Sequence, residues 1–229
     1  MKITWYGHSC FRFDIGGSVL LIDPFLKGNP KFEASGIAWD EATKGVTHVA
    51  LTHGHDDHIG DSGEICKTRG ATLFAPYELA MHVATKGAEK LEPMNHGGTI
   101  AAADFSITYT DALHSSSSGG VYLGNPCGIV VTPKSGKPVY HMGDTDVFPG
   151  MDLINKLYAP KAGIVPIGDR FTMGGAVAAL ACQRFFGFRK VIPCHYGTFP
   201  MLDQTADKFV TEMSGQNVVV PAVGGSVEV

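Results

Sequence analysis

The chain has 229 residues, 44% hydrophobic and 17% charged, with a formal net charge of −4 and an isoelectric point near 6.2. That length predicts a single domain over residues 1–229, burying roughly 70% of its unfolded surface without a disulfide scaffold. The charge excludes a strongly basic nucleic-acid footprint, and no apolar run approaches the ~20 residues of a membrane span.

"MKITWYGHSC" at the start has one lysine and no apolar stretch of signal-peptide type. The five cysteines, Cys10, Cys66, Cys127, Cys182 and Cys194, are odd in number and scattered, with no C-x-x-C. Reduced thiols and a cytoplasmic location are expected.

Short runs rich in Val, Ile, Phe and Tyr, bounded by Gly, Pro or Asp, predict strands. In chain order they are "KITWYG", "CFRFDI", "SVLLIDP", "VTHVALT", "ATLFAP", "FSITYTDA", "CGIVVTP", "PVYHMGD", "AGIVPIG", "KVIPC" and "NVVVPAV". The Gly-Gly of "DIGGSV" predicts a hairpin between the second and third. Helices are expected at "SGEICKTRG", at "PYELAMHVATKG" with Leu79 and Val83 inward, and at "MDLINKLYA". In "TMGGAVAALACQRFFG", Thr172 is the expected N-cap, Val177, Leu180, Ala181 and Phe185 the apolar face, and Gly187 the stop. "DQTADKFVTEMSG" should start at an Asp203 cap and end at Gly215. Strands dominate the N-terminal half and helix alternates with strand in the C-terminal half, which predicts an α/β fold with helices outside sheets.

"LTHGHDDHIGD", residues 51–61, follows the "VTHVALT" strand and crowds His53, His55, Asp57 and His58 into six positions. Imidazole and carboxylate suit zinc, iron, manganese or cobalt. Four ligands so close together would strain around one ion. Two ions are the easier arrangement, His53 and His55 on one, Asp57 and His58 on the other. His114, Asp144 and His195 each follow another apolar run and could complete both sites. A carboxylate has two oxygens, so Asp144 could touch both ions.

The H-x-H-x-D-H motif, with His114, Asp144 and His195 after it in order, resembles the metallo-β-lactamase superfamily. "YGHSCF", "LIDPF", "YHMGDT" and "PCHYGTFP" are similar to its branch of small metal-dependent hydrolases related to ascorbate-6-phosphate lactonase. The resemblance covers the whole chain and implies an αββα four-layer sandwich. It implies His53, His55 and His114 on a first metal, Asp57, His58 and His195 on a second, and Asp144 bridging. The metals would be two divalent transition ions, zinc first, with manganese, iron or nickel as alternatives. Two such ions about 3.5–4 Å apart can turn a shared water into hydroxide at neutral pH. The function implied is therefore hydrolysis of a small ester, lactone or phosphodiester, with Asp57 as proton acceptor where only the first metal is bound. The alternative is a mononuclear iron oxidoreductase of persulfide-dioxygenase type; diiron members usually carry Glu where His55 stands.

By the same resemblance His8 would contact substrate or donate a proton, and Asp23 would hold a ligating histidine by its free N–H. His141 is a candidate for the layer behind the ligands. Arg170 borders the expected pocket and could grip a phosphate or carboxylate, with an ion pair to Asp169 or a neighbour as the favoured alternative. A small-molecule substrate is expected, with no nucleic acid and no membrane span, and a homo-oligomer remains open. Cys194 should point away from His195 across its strand.

Overall fold

The computed structural model describes residues 1–214 and 217–229. The chain opens with β1 (Lys2–Trp5), β2 (Phe11–Ile15) and β3 (Ser18–Ile22), an antiparallel meander with the expected hairpin at Gly16–Gly17. In β2, Phe11, Phe13 and Ile15 are buried while Arg12 and Asp14 alternate with them and pair at 2.8 Å. That period of two puts the aromatic residues on one face.

Two short helices, α1 (Pro30–Ala34) and α2 (Trp39–Ala42), lead into β4 (His48–Ala50). α3 (Asp56–Ile59) and α4 (Ser62–Arg69) lead to β5 (Thr72–Pro76), and α5 (Tyr77–Ala84) to β6 (Lys90–Met94). β3 to β6 run parallel. The second sheet begins with β7 (Thr99–Ala101) and β8 (Phe105–Asp111), and a small ribbon of β9 (Ser117–Ser118) and β10 (Val121–Tyr122) precedes β11 (Cys127–Pro133). β12 (Val139–His141), α6 (Gly150–Tyr158), β13 (Ala162–Pro166), α7 (Gly175–Phe185) and β14 (Lys190–Cys194) then alternate, with the three strands parallel. α8 (Asp207–Glu212) and β15 (Ser226–Glu228) close the described chain. The first sheet has the order β15-β1-β2-β3-β4-β5-β6 and the second β14-β13-β12-β11-β8-β7.

Phe11, Phe13 and Phe74 of the first sheet share one apolar cluster with Phe105, Ile107 and Ile129 of the second. Leu21, Val49 and Leu73 belong to another cluster, with Ile65 of α4 and Leu79 and Val83 of α5. α6 and α7 join the inter-sheet cluster through Met151, Ile154, Ala178 and Ala181. The expected αββα sandwich is thus formed by two sheets back to back with helices outside.

Several elements differ from expectation. "NVVVPAV" is no strand: Asn217 and Val219 each make one backbone bond to Val191, and Pro221 offers no donor for more. β6 escaped notice because Pro93, Glu92 and Lys90 break any apolar pattern; its partner β5 imposes the extended form. α7 is capped at Gly174 instead of Thr172, and its buried face is Gly175, Ala178, Ala179, Ala181 and Cys182. Val177 and Leu180 face outward. Close packing decided this, since a Cβ on Gly175 would stand 2.8 Å from the Phe209 backbone nitrogen of α8. α8 starts after Ala206, because Asp203 is used in a loop, donating its N–H to Gly168 and accepting from Gly197. The predicted stop at Gly215 lies outside the described residues.

Candidate metal centre

Every predicted ligand stands just beyond the C-terminal end of a strand. After β4 the chain passes through His53 and Gly54 into α3, whose single turn carries Asp57 and His58 behind a His55 N-cap. His114 follows β8, Asp144 follows β12, and His195 directly follows β14. Strand ends from both sheets meet at one edge, where parallel sheets commonly place their sites.

His55 Nδ1 lies 2.9 Å from His53 Nε2 and 3.2 Å from His114 Nε2. Asp144 Oδ2 lies 2.9 Å from His195 Nε2, 3.3 Å from His58 Nε2 and 3.5 Å from His114 Nε2. Asp57 Oδ2 is 3.9 Å from His195 Nε2 and 4.0 Å from His58 Nε2. The donor atoms form overlapping groups, each within 4.8 Å: His53, His55 and His114; His53, His58 and Asp144; and His8, Asp57, His58 and His195. All seven predicted ligands are therefore brought together.

Which nitrogens face inward is set from behind. Asp23, fully buried, accepts from the Thr52 backbone N–H at 2.8 Å, the Thr52 hydroxyl at 2.6 Å and His58 Nδ1 at 2.8 Å. A carboxylate only accepts, so His58 carries a proton on Nδ1 and its Nε2 is the atom turned toward the cluster. The Thr52 hydroxyl hydrogen goes to Asp23, so at 3.0 Å it accepts from His53 Nδ1, which frees His53 Nε2. Ser115 Oγ stands 3.2 Å from His55 Nε2 and leaves Nδ1 facing the other two imidazoles. One carboxylate thus orients two candidate ligands, His58 directly and His53 through Thr52.

The donor set fits divalent-metal binding. His58 Nε2 and Asp144 Oδ1 are buried with no hydrogen-bond partner, the short His58–Asp144 contact lacking hydrogen-bond geometry. Buried polar atoms without partners are rare, and a cation between them would satisfy both. Burial pulls the His58 pKa down, yet Asp144, Asp23 and Asp57 outweigh it and hold it well above the ordinary value. Burial pushes Asp57 and Asp144 up, but His58 and His8 around the first, and His195 and His58 around the second, hold both well below the carboxylate range. Negative charge at this edge calls for a positive partner. Burial, with the charge of His58, keeps His53 neutral and able to ligate.

His8 does not reach the cavity. It is fully buried, with Nε2 3.0 Å from Asp57 Oδ2 and Nδ1 3.0 Å from Thr198 Oγ1. Burial and the nearby His195 lower its pKa to about 4, so the neutral ring donates from Nε2 to Asp57 and accepts the Thr198 hydroxyl. His141 is also buried, donating from Nε2 to the Ser9 carbonyl at 3.2 Å and accepting from Gly143 N–H at 3.1 Å. It ties the turn before Asp144 to the loop after β1 and makes no hydrogen bond to a ligand. Arg170 forms no ion pair among the described residues; its guanidinium lies 5.7 Å from the Phe171 ring centre. The expected pairing with Asp169 is thus corrected: consecutive left-handed residues, φ 59° and 44°, form a tight turn. Cys194 is fully buried, as expected.

Sequence reading missed the hydroxyls. In "SSSSGG", Ser116 accepts from Gly54 N–H at 3.0 Å and Ser118 donates to Asp56 at 2.6 Å, so the β9–β10 ribbon braces the histidine turn. The signal was four serines directly after a ligand. Gly168 is another silent contributor: a Cβ there would stand 2.0 Å from the His195 carbonyl oxygen. Gly168→Ala is expected to cost roughly 1–3 kcal/mol as the loop is pushed aside and to loosen any metal that His195 would help to hold. Thermal melts with and without added metal check this, and an unchanged Tm would show that the loop yields freely.

Fold and site together define a metal-dependent enzyme of metallo-β-lactamase architecture. A family model described as a β-lactamase superfamily domain matches residues 19–196, and the chain belongs to that superfamily. It is 54% identical over 236 residues, covering all of both chains, to a UPF0173 metal-dependent hydrolase of Chelativorans sp. (strain BNC1). Among solved structures it is similar to Igni18, a metallo hydrolase from Ignicoccus hospitalis, at 33% identity and TM-score 0.87, with 99% of this chain and 97% of that one covered. CmlA, a diiron β-hydroxylase from Streptomyces venezuelae, matches with TM-score 0.77 at 14% identity, covering all of this chain and 54% of its own; that likeness is one of fold. The protein is a metal-dependent hydrolase.

Proposed function

We propose that this hydrolase works with two divalent transition metals, zinc in the first instance, and cleaves a small ester, lactone or phosphodiester. His53, His55 and His114 would hold one metal, Asp57, His58 and His195 the other, and Asp144 both. The observation that carries this is the convergence of donor atoms: Asp23 and Thr52 hold the outer nitrogens of His58 and His53, so their inner nitrogens turn into the cluster. Bound metals supply a water ionised near neutral pH and a Lewis acid for the oxygen that gains charge.

The chain's own groups do the rest. Ester hydrolysis adds the water oxygen to the acyl carbon, breaks the acyl–oxygen bond and delivers a proton to the departing oxygen. Asp57, partly exposed to the cavity, is fixed by the His8 N–H. A carboxylate held below its ordinary range stays ionised at neutral pH, as a metal ligand must be. His8 is a positioning residue for Asp57. The five cysteines are free and buried, which supports a reducing, cytoplasmic setting, and no helix among the described residues is long and apolar enough to cross a membrane.

Metal analysis of protein purified without chelator is expected to give about two transition-metal ions per chain. Chelation should abolish hydrolysis of p-nitrophenyl acetate, and adding zinc, manganese, iron or nickel should restore it to different degrees. No bound metal, or activity indifferent to chelation, would overturn the proposal. One iron per chain with oxygen uptake on a persulfide would replace it with the oxidoreductase reading.

A further inference from the structure

The cavity over the cluster has a volume of about 520 Å³ and two unlike parts. Its floor is polar, with His55, His114, His195, Asp57 and Asp144. Its wall is Phe171, Phe199 and Met201. Phe171 and Met201 are 54% and 51% exposed, large apolar groups held in water beside a polar floor. Such patches mark binding surfaces.

The wall is built into place. Phe171 sits at the tip of the loop that contains the two left-handed residues Asp169 and Arg170, a backbone form that non-glycine residues keep only where the surrounding structure enforces it. The loop is held by Asp169 N–H to the Met173 carbonyl at 3.1 Å, Thr172 N–H to Asp169 at 3.0 Å and Met173 N–H to Thr145 at 3.2 Å. Phe199 is stacked on Phe25 with centroids 6.2 Å apart and meets His8 edge-on at 5.5 Å. No lysine or arginine lines this cavity among the described residues, and Arg170 is not part of its lining. The charged side chains of the floor are carboxylates. An anionic substrate would find no cationic side chain there, only the metals themselves, whose charge Asp57 and Asp144 would partly offset.

Resting on the hydrolase reading above, we propose that the substrate is uncharged and carries a short apolar chain or ring next to its scissile carbonyl, as an ester or lactone does and a phosphodiester does not. Phe171, Phe199 and Met201 are its specificity residues.

The test uses metal-loaded protein with p-nitrophenyl acetate, butyrate and hexanoate, and bis(p-nitrophenyl) phosphate. In the wild type kcat/KM should climb along the ester series, up to about three- to fourfold per methylene buried, and every ester should exceed the phosphodiester. Phe171→Ala and Met201→Ala should flatten the series with metal content unchanged. A readout independent of turnover is binding of unhydrolysed hexanamide against diethyl phosphate, where the amide should bind tighter and lose that advantage in Phe171→Ala. A flat wild-type series, a preferred phosphodiester, or tighter binding of diethyl phosphate would overturn the proposal. If metals are bound yet nothing is hydrolysed, the reaction is misassigned, and the amide comparison still decides the cavity's preference.

Discussion

Asp144→Asn is expected to lower kcat/KM for ester hydrolysis on the order of 10³-fold, the equivalent of roughly 4 kcal/mol of transition-state stabilisation. The change keeps size and shape but removes the negative charge that lies within 3.5 Å of three imidazole nitrogens. Metal content should fall as well, because the Asp144 carboxylate would have served both ions. In metal-free protein the variant should also alter the pH dependence of stability. Asp144 is held below its ordinary pKa by His195 and His58 against the upward push of burial. Its stabilisation is therefore present above the ordinary carboxylate pKa and lost as pH falls through the folded value. His58 is raised, so its contribution is full below its ordinary value of 6.5 and lost as pH rises through the folded one. Chelated wild type should weaken at both ends of the pH range, and Asp144→Asn should flatten both limbs. Full turnover with two metals bound would remove the bridging role.

Asp23→Asn is expected to weaken metal binding by about 10–100-fold, although Asp23 is not itself a proposed ligand. Asparagine suits this test because residue 23 has φ 47°, a left-handed form that Asn tolerates well. Backbone strain is thus left nearly unchanged while the hydrogen-bond chemistry is altered. The carboxylate accepts three donors from Thr52 and His58; an amide brings two donors of its own and one acceptor oxygen. At least one buried donor then loses its partner, at roughly 1–3 kcal/mol, and His58 can flip its tautomer. Competition against a chromophoric chelator, read with the Tm, checks this. Wild-type metal affinity would mean that packing alone orients the imidazoles.

His8, Asp23 and His195 share a feature that sequence does not display. Each is a non-glycine residue with positive φ, at 51°, 47° and 59°. Strain of this kind persists where surrounding structure over-determines it and is concentrated at functional sites. Here it turns three side chains toward one edge from the ends of three different strands. "YGHSC", "LIDP" and "PCHYG" gave the positions but not the backbone form. His8 illustrates the gap: its place near the cluster was legible, while its burial and its bond to Asp57 were not. Arg170 does so too, since a cation near the pocket in sequence turned out not to line it.

The sequence by itself located the candidate ligands, because a dense motif and the residue after a strand are local features. An apolar run ends, and a histidine or aspartate follows; three such endings and one dense motif mark the centre. It also determined the α/β class, since strand and helix periodicities differ within a few residues. Only the tertiary structure decided which nitrogen each histidine presents, because that depends on Asp23 reaching Thr52 and His58 across 29 and 35 positions of chain. It alone chose the inner face of α7, where close approach to α8 favoured small residues over Val177 and Leu180. It alone set Phe171, Phe199 and Met201 around one cavity. Contacts between distant segments carry no periodic signature, so chemistry is written along the chain while orientation and selectivity arise where the chain meets itself.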